Sequence, residues 1–191
     1  NPSELRGKWE SVFGNYHSLH LEIGCGKGAF VTGMAEKYPD VNFIAMELFS
    51  NVIVIAIERI FSAGLPNVRF ICGNAVNLAD YFAENELDKI YLNFSDPWTK
   101  KGHAKRRLTH PEFLKVYKNL LVPGGEIEQK TDDRLLFDYS LQSFKECGFS
   151  IEKLSYNLHS GDASDNILSE YEQKFIESGL PICKVLVKNQ K

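Results

Sequence analysis

No stretch of this chain approaches the roughly 20 consecutive apolar residues that a membrane-spanning helix needs, so a bilayer-crossing helix is excluded and a soluble protein is expected. The N-terminal segment NPSELRGKWESVFG lacks the apolar core of a secretory signal, so nothing marks the chain for export. It opens on Asn1 rather than methionine, and a further upstream segment is therefore expected. Cysteine is sparse. Cys25, Cys72, Cys147 and Cys183 form no C-x-x-C pair, which argues against a zinc site or a dense disulfide framework and fits reduced thiols in a cytoplasm. His17, His20, His103, His110 and His159 show no metal-ligand spacing, and no metal is expected. Repeats, low-complexity tracts and linkers are missing too, and 191 residues suit a single domain over 1–191.

Charge of either sign is unexceptional in total, with 22 basic against 25 acidic residues, but its placement is uneven. The segment KKGHAKRR, Lys100 to Arg107, holds five of those basic residues and no acid, leaving the rest of the chain clearly acidic. Such an island is either a local polyanion site or a solvated loop.

Short apolar runs rich in β-branched and aromatic residues recur along the chain: LHLEI (19–23), NFIAM (42–46), VRFIC (68–72), KIYLNF (89–94), GEIEQKT (125–131), FSIEKLSYNL (149–158) and ICKVLVK (182–188). Between them AFVTGMAEKY, SNVIVIAIERIFSAG, PEFLKVYKNLL and RLLFDYSLQSFKECG carry apolar residues at three- and four-residue spacing. Repeated strand–helix units of this kind predict an α/β fold on a mostly parallel sheet of seven strands. Residues 95–109 and 159–168, dense in charge and turn formers, are expected to be irregular and to lie at the sheet edge where open α/β folds bind ligands.

The first strand runs into Glu22-Ile-Gly24-Cys-Gly26-Lys-Gly28 and then a helix, a turn in which glycines let backbone approach a ligand closely. Glu47 ends the second strand, where a carboxylate can accept both hydroxyls of a ribose. Asn74 follows the third, where an amide can pair with the edge of an adenine ring or simply serve the turn. Together they predict an adenosine cofactor. Dinucleotide folds use G-x-G-x-x-G to hold a pyrophosphate, whereas E-x-G-x-G-x-G resembles motif I of class I S-adenosylmethionine methyltransferases. Glu22 has the sign to meet a cation and would repel a pyrophosphate. A nicotinamide oxidoreductase is disfavoured on the same spacing.

After the fourth strand stands Asn93-Phe-Ser-Asp96-Pro97-Trp98-Thr99-Lys100-Lys-Gly102-His103-Ala-Lys105-Arg106-Arg107-Leu108. Asp96, before a proline, is biased to an extended backbone, and Trp98 can offer a flat wall to a base or can belong to the core. NFSDPWTKKGHAKRRL, together with EIGCGKG, AMEL, QKTDDR and SEYEQKF, closely resembles the bacterial tRNA (guanine-N7)-methyltransferase family, from about Leu5 to the C-terminus. The resemblance implies a Rossmann-like class I fold, a three-layer αβα sandwich whose last strand is antiparallel. It also implies S-adenosylmethionine as cofactor and a guanine N7 in tRNA as acceptor, the variable-loop guanosine. Methylation of another RNA base or of a small molecule is the alternative.

By that resemblance Glu22, Gly24, Gly26, Gly28, Glu47, Asn74 and Asp96 match cofactor-contacting positions, and Asp96 also matches the catalytic one. Lys100, Asp132, Ser169 and Glu172 match substrate-contacting positions, and the stretch with Gly102, His103, Lys105, Arg106 and Arg107 matches the RNA-contacting segment. Read without the family, Asp132 and Ser169 are equally good helix caps. The chain departs from the family pattern at Thr99 (usually proline), Gly102 (usually arginine), Ser169 (usually threonine) and Gln129 (usually apolar or aromatic). The basic N-terminal arm expected of the family is not among residues 1–191. A cytoplasmic monomer or homodimer is expected.

Overall fold

In a computed structural model of the chain, residues 1–161 and 166–191 are described, Lys101 by its backbone only. Part of the expected irregular stretch 159–168 thus lies outside the described residues. Among the described residues seven strands form one sheet: β1 (Ser18–Ile23), β2 (Val41–Glu47), β3 (Val68–Cys72), β4 (Leu87–Asn93), β5 (Leu121–Thr131), β6 (Phe149–Ser155) and β7 (Cys183–Asn189). Their order is β3-β2-β1-β4-β5-β7-β6, and β7 alone runs antiparallel to its neighbours. The chain winds outward from β1 in one direction to β3, then returns to lay β4 and β5 on the other side. The loops leaving β1 and β4 therefore diverge, opening a crevice at the carboxyl ends of the strands.

Helices cover both faces. α1 (Trp9–Phe13), α4 (Leu78–Tyr81), α5 (Pro111–Leu120) and α6 (Arg134–Glu146) contribute Trp9, Tyr81, Tyr117, Phe137 and Phe144 to a core with Leu21, Ile44, Ile90 and Val185. α2 (Ala29–Lys37) and α3 (Ser50–Ser62) bury Phe30, Met34, Ile53 and Ala56 against Phe43, Ala45 and Tyr91 on the opposite face. β4 serves both cores because successive side chains alternate between faces, Ile90 and Leu92 to one and Tyr91 to the other. β2 is buried along almost its whole length, as a central parallel strand must be. β6, at the edge, exposes Glu152 and Lys153, which discourage pairing with another chain. Among the described residues no helix is long and apolar enough to cross a membrane.

All seven expected strands and four expected crossover helices are present. Several boundaries differ, β4 for example starting at Leu87. β6 stops at Ser155, three residues early, and β5 begins at Leu121, because Leu121 pairs with Leu87 before the register shifts and resumes at Lys89–Glu126. α1 and α4, at five and four residues, are too short to show a helical period. The polar Gln129 sits fully buried in β5 because Ser140 on α6 accepts from its Nε2 at 3.1 Å. Ser140 Oγ itself donates to the Leu136 carbonyl, so Thr109 is the donor in the 2.7 Å contact between the two hydroxyls.

The turn between β1 and α2 takes its shape from glycine. Gly24, Gly26 and Gly28 have φ of 82, 56 and 82°, the left-handed region, which costs other residues about 1–2 kcal/mol. A Cβ on Gly28 would also lie 2.8 Å from the Cβ of Ala56 on α3, whereas one on Gly24 or Gly26 would meet nothing within 4 Å. Gly28→Ala should accordingly lose about 2–4 kcal/mol in urea denaturation and Gly24→Ala only about 1–2 kcal/mol, the difference being overpacking against α3.

Candidate active site

Six of the seven expected cofactor positions, Glu22, Gly24, Gly26, Gly28, Glu47 and Asn74, lie at the carboxyl ends of β1, β2 and β3, and the seventh, Asp96, follows β4. Glu22, the penultimate residue of β1, is 3% exposed. Its Oε1 accepts from Asn93 Nδ2 at 2.9 Å, while Oε2 has no partner, and neither does Asn93 Oδ1. Burial pushes the Glu22 carboxyl up to about 8, with Glu170 and Glu47 adding to the rise and the Asn93 bond and Lys130 opposing it. A buried acceptor pair left half-satisfied is a site prepared for a donor, above all a cationic one.

Glu47 is nearly as buried, and its carboxylate is already fixed. Oε2 accepts from the Gly26 amide at 3.1 Å, and Oε1 from Leu48 and Phe49 at 2.8 and 3.1 Å. Those bonds orient the carboxylate beside the glycine turn, use both lone pairs of Oε1 and leave one on Oε2. Asn74 caps a single turn of 3₁₀ helix, Ala75–Asn77, its Oδ1 accepting from Val76 N at 3.1 Å, so the turn role expected of it is real and its side chain remains exposed. The open space above Gly24 and Gly26 and the unpartnered oxygens of Glu22 and Asn93 fit an adenosine cofactor whose far end carries a positive charge.

The acceptor loop begins immediately after Asn93. Phe94 and Trp98 both take left-handed backbone conformations, φ 52 and 43°, so the chain turns sharply on either side of Ser95-Asp96-Pro97. Arg107 holds that shape from inside: its Nε donates to the Pro97 carbonyl at 2.9 Å and Nη2 to Trp98 at 3.2 Å, with the guanidinium 4.4 Å from the Tyr139 ring centre. Trp98 is only half-buried, so the alternative of a core tryptophan does not hold. Its indole meets His103 edge-on and carries Arg106 at 4.9 Å. Asp96, Pro97, Trp98, Thr99, Lys100 and His103 line a pocket of about 300 Å³. Lys100, Lys105 and Arg106 are exposed around it, and Gly102 faces open space within a 3₁₀ segment, Lys101–Arg106.

The capping alternative fails for one further candidate and holds for another. Asp133, not Asp132, caps α6, accepting from Leu136 N at 2.7 Å, so Asp132 is left exposed next to the crevice. Ser169 does cap α7 (Glu170–Glu177), accepting from the Glu172 amide at 3.1 Å. Glu172 is 0% exposed and receives Lys130 Nζ at 2.9 Å, His159 Nε2 at 3.0 Å and Asn166 Nδ2 at 2.6 Å. Lys130, 1% exposed, also donates to the Ile167 carbonyl. Burial pulls its ammonium below the usual lysine range, and Glu172 opposes that. The pair anchors α7 beside the crevice, where Phe175 and Tyr171 stack with Phe94.

The sequence reading missed Asn93, Lys130, Arg59 and Glu170. Lys130 had a legible signal: a lysine inside an otherwise buried strand requires a buried acid. Among the described residues no group of three His, Cys, Asp or Glu side chains could hold a metal ion.

A family model described as "Putative methyltransferase" matches residues 16–185. A tRNA (guanine-N(7)-)-methyltransferase of Bacillus licheniformis is 50% identical over 184 residues, 96% of this chain and 86% of that protein. Proteins of the same name from Lysinibacillus sphaericus and Streptococcus sanguinis are 48% and 45% identical, each covering 97% of this chain and 86% and 87% of their own length. Among solved structures, the 16S rRNA methyltransferase KamB superposes with a TM-score of 0.73 at 12% identity, covering 97% of this chain and 94% of that one. A SAM-dependent methyltransferase from Aquifex aeolicus gives 0.64 at 13% identity, covering 99% and 94%. At that identity the two structures speak for the fold alone.

The buried carboxyl at the centre of the crevice makes stability depend on pH. Unfolded, Glu22 titrates near 4.5, and folded near 8, so the folded chain holds the extra proton between those values. The stability it contributes is complete at acid pH and is lost as pH rises through about 8. Glu22→Gln keeps an acceptor for Asn93 and removes the titration. In urea unfolding it should match the parent near pH 4.5 and exceed it above pH 8, by on the order of a few kcal/mol.

Proposed function

Because this chain belongs to the tRNA (guanine-N(7)-)-methyltransferase family, we propose that it transfers the methyl group of S-adenosylmethionine to N7 of a guanine in tRNA, the variable-loop guanosine, giving 7-methylguanosine. One arrangement carries the reading: the crevice joins a half-satisfied buried acid, Glu22, to a pocket containing an exposed carboxylate, an indole and a rim of cations. When bound, the cofactor supplies an electrophilic methyl group on a sulfonium. Glu22 and Asn93 offer acceptors to its positively charged end, Gly24 and Gly26 let the backbone lie against it, Gly28 packs the turn onto α3, and Glu47 and Asn74 take the ribose and adenine.

Guanine N7 has an in-plane lone pair and no hydrogen, so the chain need not remove a proton before the attack. Its task is to align the base and to supply negative potential as positive charge moves onto the purine. Asp96 does both in this reading, accepting from the base's N1–H and exocyclic amine, with Trp98 as the wall behind it. N7 is accessible only when the base is unstacked or lies in an irregular loop, which suits an aromatic wall bordered by phosphate-binding cations. Lys100 and Asp132 face the acceptor directly. Ser169, the cap of α7, and Glu172, on its buried side, act by fixing that helix against the pocket. Lys105, Arg106, His103 and the Gly102 backbone meet the RNA, while Arg107 shapes the loop that they border. The reaction belongs in the cytoplasm, in keeping with four free thiols.

Incubating the protein with methyl-labelled S-adenosylmethionine and unmodified tRNA, followed by nucleoside analysis, tests the reading. Labelled 7-methylguanosine is expected, and label in another nucleoside or in none would remove the acceptor assignment. Asp96→Ala should lower single-turnover methyl transfer by about 10²–10³-fold. The basic residues should divide into two classes. Reversing the charge of Lys105 and Arg106 should weaken tRNA of every sequence and reduce the slope of log affinity against log salt by about one for each phosphate no longer neutralised. Arg107→Ala should instead lower turnover at an almost unchanged slope, because its bonds go to Pro97 and Trp98.

A further inference from the structure

Two donors beside the glycine turn converge on a single carboxylate oxygen. Glu170 Oε1 accepts from the Ala29 amide at 3.2 Å and from Arg59 Nη1 at 2.6 Å. Ala29 is the first residue of α2, so its amide is one of the unmet donors at the positive end of that helix. Arg59 reaches the same point because α3 packs directly on the turn, with Ala56 against Gly28 and Arg59 almost one helical turn further on. The Arg59–Glu170 bridge is partly exposed, 37% and 31%, and as a surface pair it contributes little to stability. Its location is what matters. Ala29 is six residues past Ile23, the end of β1, and one residue before Ile23 on that strand Glu22 Oε2 is buried without a partner, as is Asn93 Oδ1 at the end of the adjacent β4; the Glu170 charge adds to the rise of the Glu22 carboxyl.

The amino-acid end of S-adenosylmethionine is a zwitterion, an ammonium and a carboxylate on one carbon. A site for it needs acceptors for the first and donors for the second, only a few ångströms apart. Glu22 and Asn93 are the acceptors. Arg59 and the Ala29 amide are a matched pair of donors, and the chain already sets a carboxylate on them. We propose that Arg59 and the Ala29 amide receive the carboxylate of the cofactor, and that Glu170 competes for the same two donors, so that binding exchanges one carboxylate for another. The inference rests on S-adenosylmethionine being the cofactor. Glu170 is the first residue of α7, the helix whose cap and buried anchor, Ser169 and Glu172, lie on the acceptor side. The exchange therefore frees the start of α7 when the cofactor arrives, while the Lys130–Glu172 pair keeps the helix attached.

Calorimetric titration of the full chain with S-adenosylmethionine and with its decarboxylated analogue, which keeps the sulfonium and the amine, separates the possibilities. The parent should prefer the intact cofactor by about tenfold or more, the worth of a charged hydrogen-bonded contact. Arg59→Gln should lose about tenfold on the intact cofactor and little on the analogue. Glu170→Gln should bind the intact cofactor several-fold more tightly, having lost the competing charge, and leave the analogue nearly unaffected. Equal weakening of both ligands by Arg59→Gln, or an unchanged or weaker affinity for the intact cofactor in Glu170→Gln, would overturn the proposal. Failure of the parent to bind either ligand would overturn the cofactor reading itself, a result distinct from the other two.

Discussion

The hydrogen bond from Asn93 to Glu22, 2.9 Å across the carboxyl ends of β1 and β4, ties together the two halves of the site. It crosses the line where the strand order reverses, the one place in the sheet where adjacent strands send their loops apart. On one side lies the glycine turn and on the other the acceptor loop. Neither is positioned by its own sequence alone: Gly24 and Cys25 hang by their amides from the Met46 carbonyl, and Phe94 from that of Lys130. The sheet therefore fixes the separation between the two loops, and one buried side-chain bond fixes their ends.

Two acids buried in this region are treated in opposite ways. Glu172 has an ammonium on one carboxylate oxygen and an imidazole and an amide on the other, and its own amide is used by the Ser169 cap, so both of its oxygens have partners. Glu22 has one amide and an idle oxygen. A satisfied buried carboxylate rigidifies, whereas an unsatisfied one stores a cost that only a ligand relieves. Glu172 thus holds α7 to β5 through Lys130, while Glu22 keeps an acceptor open in the crevice.

The strands were readable because β-branched and aromatic runs between turn formers are a local signal, and so was the glycine turn, whose φ values need glycine. What could not be read depends on partners distant in sequence. Asp132 and Asp133 are chemically identical neighbours, and only the backbone of α6 decides which caps it. Arg107 looks like its neighbours in a basic run, yet it turns inward to two carbonyls ten and nine residues earlier. Arg59 and Glu170 are 111 residues apart, and no periodicity joins them. The short α1 and α4 escaped because one helical turn carries no period.

The antiparallel β7 lies between β5 and β6, and β6 pairs with β7 alone. During synthesis β6 emerges with no strand to join, and the open edge of β5 waits until β7 has left the ribosome. The parallel part of the sheet, β1 to β5, can assemble as each strand emerges beside one already made, but the edge formed by β7 and β6 closes only by a late event. A ribosome stalled between β6 and β7 would thus hold a five-stranded sheet with the edge of β5 bare and β6 unpaired, the species most exposed to mispairing and most in need of a chaperone.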